Sequence, residues 1–170
     1  MIISRIILDG LAMSLVFNFG AGLFSFVMPQ AYSTMFPKEI KLAAAPYVDK
    51  KEVGRMYVIL LAIYAAVFVY FGVSTYYSGV TEFGDLFWTG YIEMLFVNFG
   101  DLLFQDVILR AMTKNKRGFV KGADGCKAWE LGEWMKAALP EHLLIWPLTC
   151  CPLSGIITVG IVRLMELILK

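Results

Sequence analysis

Polar side chains recur at helical spacing inside two otherwise apolar stretches of this 170-residue sequence. Ser14 and Asn18 lie in the first stretch, and Asn98, Asp101 and Gln105 lie in the second. Spacings of three and four residues place side chains on one face of an α-helix, so each set is predicted to form a polar stripe. Polar groups are expensive in hydrocarbon, so the two stripes should face each other. These five residues are the candidate ligand- or proton-binding residues.

Asp101 carries the strongest chemical signal in these stripes. An ionised carboxylate at membrane depth costs at least about 2.5–3.5 kcal/mol, so it must be paired, reach water or bind a proton. One interpretation is a carboxylate that handles a proton or a cation, or that anchors a cationic ligand. The other is a structural hydrogen bond to Asn18, Asn98 or Gln105 that joins two helices.

The remaining charged residues of the apolar stretches are predicted to form structural ion pairs. Asp106 and Arg110 are four residues apart in the order that favours a helix ion pair. In a regular α-helix of about 3.6 residues per turn, Asp106 would point roughly 140° away from Asp101. A pair of catalytic carboxylates is therefore not expected within one chain. A second structural cluster is predicted at the other end of the bundle, formed by Arg5, Asp9 and Glu93.

Cysteine and histidine are too few for the common redox and metal sites. The sequence has three cysteines and one histidine, and Cys150 and Cys151 are adjacent instead of forming a C-x-x-C motif. A single histidine cannot supply bis-histidine haem ligation or a histidine-rich metal site. His142 is interpreted as a polar residue at a helix entry, with a pH-sensitive switch as the alternative. We therefore expect no metal and no cofactor.

Long charge-free stretches identify the elements that carry these residues. The chain is 59% hydrophobic and only 17% charged, which is too apolar for an ordinary soluble domain. A membrane span needs about 20 mostly apolar residues. Three spans are predicted at roughly 8–29, 55–77 and 140–163, and Pro147 and Pro152 predict a kink in the last of them.

A fourth span is predicted near 86–110, although acidic residues interrupt it. Its alternative is a buried re-entrant segment. Short interfacial helices are expected in the two long loops, near Pro37 and at 127–138. The predicted fold is thus an all-α integral membrane protein with four transmembrane helices in a single domain over 1–170.

An internal repeat is suggested by two copies of the tripeptide Asn-Phe-Gly. Residues 15–28 read LVFNFGAGLFSFVM and residues 95–108 read LFVNFGDLLFQDVI. A 2+2 duplication is predicted, with repeat 1 at about 1–80 and repeat 2 at about 81–170. Two spans separate the copies, so they would run parallel. The alternative is chance similarity between two apolar helices.

The distribution of lysine and arginine predicts the orientation in the membrane. Most of these residues lie in the loops 30–54 and 111–139, which the positive-inside rule places in the cytoplasm, with both termini outside. A plasma or inner membrane is the expected location. The basic loops are expected to contact anionic lipid head groups and no nucleic acid.

Three classes of function fit these features. The first is a small transporter or a proton- or solute-handling protein that uses the polar stripe. The second is an accessory or scaffolding subunit of a larger membrane complex, in which the stripe only joins helices. The third is a membrane-embedded lipid-modifying enzyme, which ranks last because no close pair of carboxylates is expected within one chain. Four spans enclose little volume, so a homo-oligomer or a larger membrane partner is expected.

Overall fold

The computed structural model describes residues 2–114 and 118–169, and all regular structure within these ranges is helical. The α-helices are α1 (Ile3–Val27), α2 (Pro29–Tyr32), α3 (Lys38–Ala44), α4 (Lys50–Tyr77), α5 (Phe83–Asp101), α6 (Arg110–Thr113), α7 (Leu131–Pro140), α8 (Trp146–Leu148) and α9 (Cys150–Ile168). Single 3₁₀ turns occupy Ser33–Met35, Ala45–Tyr47 and Lys127–Trp129. Two segments are π-helical, Leu102–Leu109 and Glu141–Ile145.

Among the described residues, three helical runs are long and apolar enough to cross a membrane. They are α1, α4 and the continuous run Leu131–Ile168, which contains α7, α8 and α9. The membrane class and the all-α fold are therefore confirmed at this level. Helix α5 is not one of these runs, because Asp85, Glu93 and Asp101 lie within it.

The ends of the long helices follow from local sequence. Asp49 precedes α4, and its carboxylate accepts a hydrogen bond from the Lys51 backbone N–H at 2.9 Å, as an N-cap residue does. Helix α1 ends at Val27, and a single residue, Met28, separates it from Pro29, which begins α2. After α4 the chain turns at Gly79, whose φ of 75° is a conformation that glycine adopts without a Cβ clash.

Helix α5 lies at the centre of the bundle, packed between α1 and α9, while α4 packs on α9 and α1. Two glycines of α5 permit this close approach. A Cβ at Gly100 would overlap the Ser14 hydroxyl on α1, and a Cβ at Gly90 would overlap the Thr158 side chain on α9. The buried core of the bundle includes Phe17, Met56, Phe71, Met94 and Val97.

The run Leu131–Ile168 is interrupted as its prolines predict, but it begins earlier than the sequence indicated. Helix formation starts at Leu131 instead of near Pro140, which is the last residue of α7. Pro140 has no N–H for the helix ladder, and the chain continues as a π-helix. A break follows at Thr149, with φ −126° and ψ −72°, between Pro147 in α8 and Pro152 in α9.

The two long loops pack together over one end of the bundle. Ile40 and Ala44 of α3 share a small apolar core with Val120, Trp134 and Ala138. The Glu39 carboxylate also accepts hydrogen bonds from the backbone N–H groups of Lys127 and Ala128. Both loops contain a short helix, as predicted, and together they form one wall of the site described next.

Candidate functional site

The π-helical segment Leu102–Leu109 turns Asp101 and Asp106 toward the same side. In an α-helix these two residues would point roughly 140° apart at about 3.6 residues per turn. A π-helix is bonded between residues five apart, so it stacks Asp106 over Asp101. The expectation that the two carboxylates face different directions is therefore wrong, because it assumed α-helical geometry across this segment.

His142 completes a cluster with these two carboxylates. Its Nε2 lies 2.8 Å from Asp106 Oδ2 and 3.7 Å from Asp101 Oδ2. One ligand atom from each of the three residues lies within 4.8 Å of the other two. The His142 side chain is only 2% exposed, whereas those of Asp101 and Asp106 are 18% and 15% exposed. An imidazole nitrogen and two carboxylate oxygens therefore converge on a single point.

Asn98 fixes the orientation and the tautomer of His142. The Asn98 Nδ2 group donates to the His142 backbone carbonyl at 2.8 Å, which leaves Asn98 Oδ1 to face His142 Nδ1 at 2.7 Å. Because an amide oxygen only accepts, Nδ1 must carry the proton. In the neutral ring, the lone pair of Nε2 then points toward Asp106.

Asp106 is held from its other side by Trp134 of α7. The indole Nε1–H donates to Asp106 Oδ1 at 2.7 Å, and Trp134 is 5% exposed. The carboxylate therefore bridges Trp134 and His142, which lie in two segments distant from it along the chain. No local sequence pattern connects Trp134 to Asp106, because the two residues are 28 positions apart.

The predicted ion pair between Asp106 and Arg110 does not form through the carboxylate. Arg110 donates from Nε to the Asp106 backbone carbonyl at 3.2 Å and from Nη1 to the Trp129 carbonyl at 2.6 Å. The π-helical segment turns the Asp106 carboxylate toward His142 and Trp134, out of the guanidinium's reach. Arg110 is buried and lines the same cavity as the cluster.

A cavity of about 60 Å³ opens beside the cluster. Its wall includes Asp101, Asp106, His142, Arg110, Glu141 and Tyr32. Two further polar atoms belong to residues of this wall and have no hydrogen-bond partner in the described part of the chain, Ser25 Oγ and Gln105 Oε1. Burial raises the pKa of the Tyr32 hydroxyl, and the Asp101 carboxylate raises that pKa further, so Tyr32 is a neutral phenol there.

Ser14 and Asn18 join helices and do not line the cavity. Asn18 Nδ2 donates to the Ser14 carbonyl at 2.8 Å and approaches the Val97 carbonyl of α5 at 3.4 Å. Gln105 Nε2 donates to the Asn18 carbonyl at 2.8 Å. The two predicted stripes thus do meet, while Asn98 acts through His142 and Gln105 reaches both the stripe and the cavity wall.

The two Asn-Phe-Gly copies continue with different backbone geometry. The first copy stays α-helical to Val27, whereas the second becomes π-helical at Leu102. Asn18 and Asn98 also bind different partners. The 2+2 repeat remains a prediction.

The second predicted cluster lies near the opposite end of the bundle and is formed in part. Arg5 Nε is 3.6 Å from Asp9 Oδ2, and Asp9 also accepts hydrogen bonds from Tyr70 and Ser74. Glu93 is buried at 1% exposure, but it forms no ion pair with the described residues and its Oε2 has no hydrogen-bond partner. Within the described residues of one chain, Glu93 thus does not join the ion pair of this cluster, because Ser74 and Asp9 bind the Arg5 side chain.

Comparison with known proteins gives no assignment: no protein-family model, curated protein or solved structure matches this chain. The functional argument therefore depends on the geometry of the cluster itself.

Proposed function

We propose that this chain is a small multi-pass membrane protein of the transporter class that binds a cationic solute in the cavity beside His142. The observation that carries the proposal is the convergence of Asp101, Asp106 and His142 Nε2 in a partly buried cavity. Carboxylates held away from bulk water need a compensating positive charge. A cation that enters the cavity would supply that charge.

The proposed topology has four crossings, with α5 and the following π-helical segment as the third along the chain. Two of the three charged residues of α5 are turned away from lipid, since Glu93 is buried and Asp101 faces His142, while Asp85 lies in the first turn of the helix. The exposed side chains of this stretch include Trp88, Phe99 and Leu103. Such a helix can cross a bilayer with its polar face against its neighbours.

With the basic loops 30–54 and 111–139 in the cytoplasm and both termini outside, the cavity lies at the cytoplasmic end of the bundle. The loop segments around Tyr32 and Trp134 form part of its wall. A solute would therefore enter from the cytoplasm, and lysine and arginine in the same loops would contact anionic lipid head groups.

Flux measurements in proteoliposomes test the proposal. Vesicles with the purified chain and entrapped indicators for protons, monovalent cations and divalent metal ions are compared with empty vesicles. We expect flux of at least one cation, with loss in Asp101→Asn and His142→Gln. Glu133→Gln is the matched control, since this carboxylate is exposed and pairs only with Lys136 in the described structure. Flux equal to that of empty vesicles, or unchanged by Asp101→Asn, would refute the transporter class.

A membrane-embedded lipid-modifying enzyme is the second candidate, favoured by the closeness of Asp101, Asp106 and His142. Two carboxylates and an imidazole at these distances can divide acid and base roles. Mass spectrometry of lipid extracts incubated with the wild-type chain and with Asp106→Asn would detect a modified lipid. A stoichiometric larger partner that co-purifies from native membranes would instead favour the accessory-subunit role.

A further inference from the structure

We propose that Asp101, Asp106 and His142 bind one divalent first-row transition-metal ion, such as Mn²⁺, Fe²⁺ or Zn²⁺. This inference extends the proposed function and rests on it in one respect, namely that the bound ion is the solute that the protein carries. Four features of the cluster point to the binding site itself, and the surroundings of its ligands agree with them.

The first feature is the contact between His142 Nε2 and Asp106 Oδ2. Asn98 requires the His142 proton on Nδ1, so the neutral ring presents a lone pair to a carboxylate oxygen only 2.8 Å away. Two lone pairs at this distance repel each other, so a positive centre must lie beside them, either a proton on Nε2 or a metal ion that replaces it. A metal ion bound by both atoms satisfies both lone pairs at once.

The second feature is the spacing of the three ligand atoms. Donor atoms held about 2.1 Å from one ion lie roughly 3 Å apart from one another. His142 Nε2 is 2.8 Å from Asp106 Oδ2 and 3.7 Å from Asp101 Oδ2. Since all three atoms lie within 4.8 Å of one another, rotation of the Asp101 side chain toward His142 Nε2 would bring them into the coordination sphere of one ion.

The third feature is the charge of the cavity wall. Asp101, Asp106 and Glu141 contribute three carboxylates, and Arg110 contributes one guanidinium. With a neutral His142, these groups leave two negative charges in a partly buried space. One divalent cation compensates this charge, whereas a monovalent cation leaves half of it.

The fourth feature is the supply of additional oxygen donors. Gln105 is 7% exposed and Ser25 is 1% exposed, yet Gln105 Oε1 and Ser25 Oγ have no hydrogen-bond partner among the described residues. Both residues line the cavity, whose volume is about 60 Å³. Since a water molecule takes about 30 Å³ of liquid volume, the cavity has room for a water molecule beside the ion.

The surroundings of the ligands also match those of a metal site. Metal-binding histidines generally donate their second N–H to an oxygen, and ligating carboxylates accept further hydrogen bonds. Asn98 Oδ1 accepts from His142 Nδ1, and Trp134 Nε1 donates to Asp106 Oδ1. One imidazole with carboxylate oxygens and no thiolate suits Mn²⁺, Fe²⁺ or Zn²⁺ better than Mg²⁺ or Ca²⁺, which prefer oxygen alone.

Metal binding is tested on the full chain in detergent after treatment with a chelator. Titration with Mn²⁺, followed by electron paramagnetic resonance, and with Zn²⁺, followed by calorimetry, should give one ion per chain. Pulsed resonance spectra of bound Mn²⁺ should show coupling to a single histidine nitrogen. We expect His142→Gln to remove this coupling and to weaken binding at least tenfold, with a similar loss of affinity in Asp101→Asn.

Two further variants separate the metal site from general effects on folding. Asn98→Ala removes only the support of His142 and should weaken binding about 10- to 100-fold, while Glu133→Gln should bind as the wild-type chain does. Melting curves recorded with chelator identify any variant that fails to fold. Absence of Mn²⁺ and Zn²⁺ binding to the folded wild-type chain, binding no tighter than that of Mg²⁺, or nitrogen coupling that persists in His142→Gln would overturn the proposal.

The outcomes distinguish this inference from the transporter proposal. Binding of Mn²⁺ or Zn²⁺ without flux in vesicles would support the metal site and reject the carrier role. Flux of protons or monovalent cations that depends on Asp101, without metal binding, would support the carrier and reject the metal site.

Discussion

Asp106 joins three separate segments of the chain, so its replacement by asparagine and by alanine should have very different effects on stability. The carboxylate lies in the π-helical segment, accepts from Trp134 in α7 and contacts His142 in the second π-helical segment. Asparagine has the same shape. Its oxygen can accept from Trp134 Nε1, and its amide can donate to the Nε2 lone pair that the Asn98 contact prescribes.

The expected magnitudes follow from the burial of the two partners. In Asp106→Ala, Trp134 Nε1 and His142 Nε2 lose their partners while the residues stay 5% and 2% exposed. Each unpaired buried group costs about 1–3 kcal/mol, so a loss of roughly 2–6 kcal/mol is expected for the two groups. Asp106→Asn keeps both hydrogen bonds and removes a buried charge, so its stability should lie within about 1 kcal/mol of the wild-type value.

Thermal unfolding in detergent with chelator present measures this difference. By the scaling of about 2–4 °C per kcal/mol for chains of this size, Asp106→Ala should melt roughly 4–24 °C below the wild-type chain, and Asp106→Asn should melt close to it. Equal destabilisation by the two substitutions would refute the reasoning. That result would mean that His142 Nε2 keeps its proton even opposite asparagine, so that an asparagine amide opposes it and the ring does not release a lone pair to a metal.

Three further predictions concern the bundle and its orientation. Gly100→Ala should destabilise by about 1–3 kcal/mol in a denaturant titration, because its Cβ overlaps α1, whereas Gly160→Ala, where the space is open, should be neutral or stabilising. Glu93→Gln should be neutral or stabilising by thermal unfolding, because this buried carboxylate has no cationic partner among the described residues; a loss above about 1 kcal/mol would reveal one. In a chain whose only cysteine is Cys126, a membrane-impermeant maleimide should label Cys126 only after the cells are permeabilised. A Ser78→Cys variant without the native cysteines should be labelled in intact cells. Burial and neighbouring carboxylates raise the pKa of the Cys126 thiol, so the labelling requires alkaline pH. Labelling of Cys126 in intact cells would contradict the proposed topology.

The polar stripes were predictable because they depend on local spacing. Asn18 and Asn98 each lie at helical spacing from other polar residues in an apolar stretch. In a membrane helix, a side-chain amide is expected to pack against another helix, where it can form hydrogen bonds. The structure indeed packs α1 against α5, with Gln105 bonded to the Asn18 carbonyl. The break near Thr149 was equally accessible, since proline removes backbone hydrogen bonds wherever it stands.

The assembly of the cation site was not predictable in the same way. Asp106 looked like the partner of Arg110 because regular α-helical geometry was assumed, and a π-helical segment changes which residues share a face. No sequence signal marks that segment, which is packed against α7 and α1. From the sequence, His142 is interpreted as a residue at a helix entry. In the structure the helix begins earlier, at Leu131. His142 therefore lies within a continuing helical segment, and its ring is buried against Asn98 and Asp106.

The sequence by itself determined the membrane class, the helical fold and the presence of costly polar groups within apolar helices, because these follow from composition and from the period of the helix. Only the tertiary structure decided which of those groups meet. The faces of Asp101 and Asp106 and the position of His142 depend on local changes of helix type, and contacts between segments distant along the chain select those changes. The physical reason is that a helix ladder can shift from four-residue to five-residue bonding at a small cost, which packing and hydrogen bonds from other helices can offset.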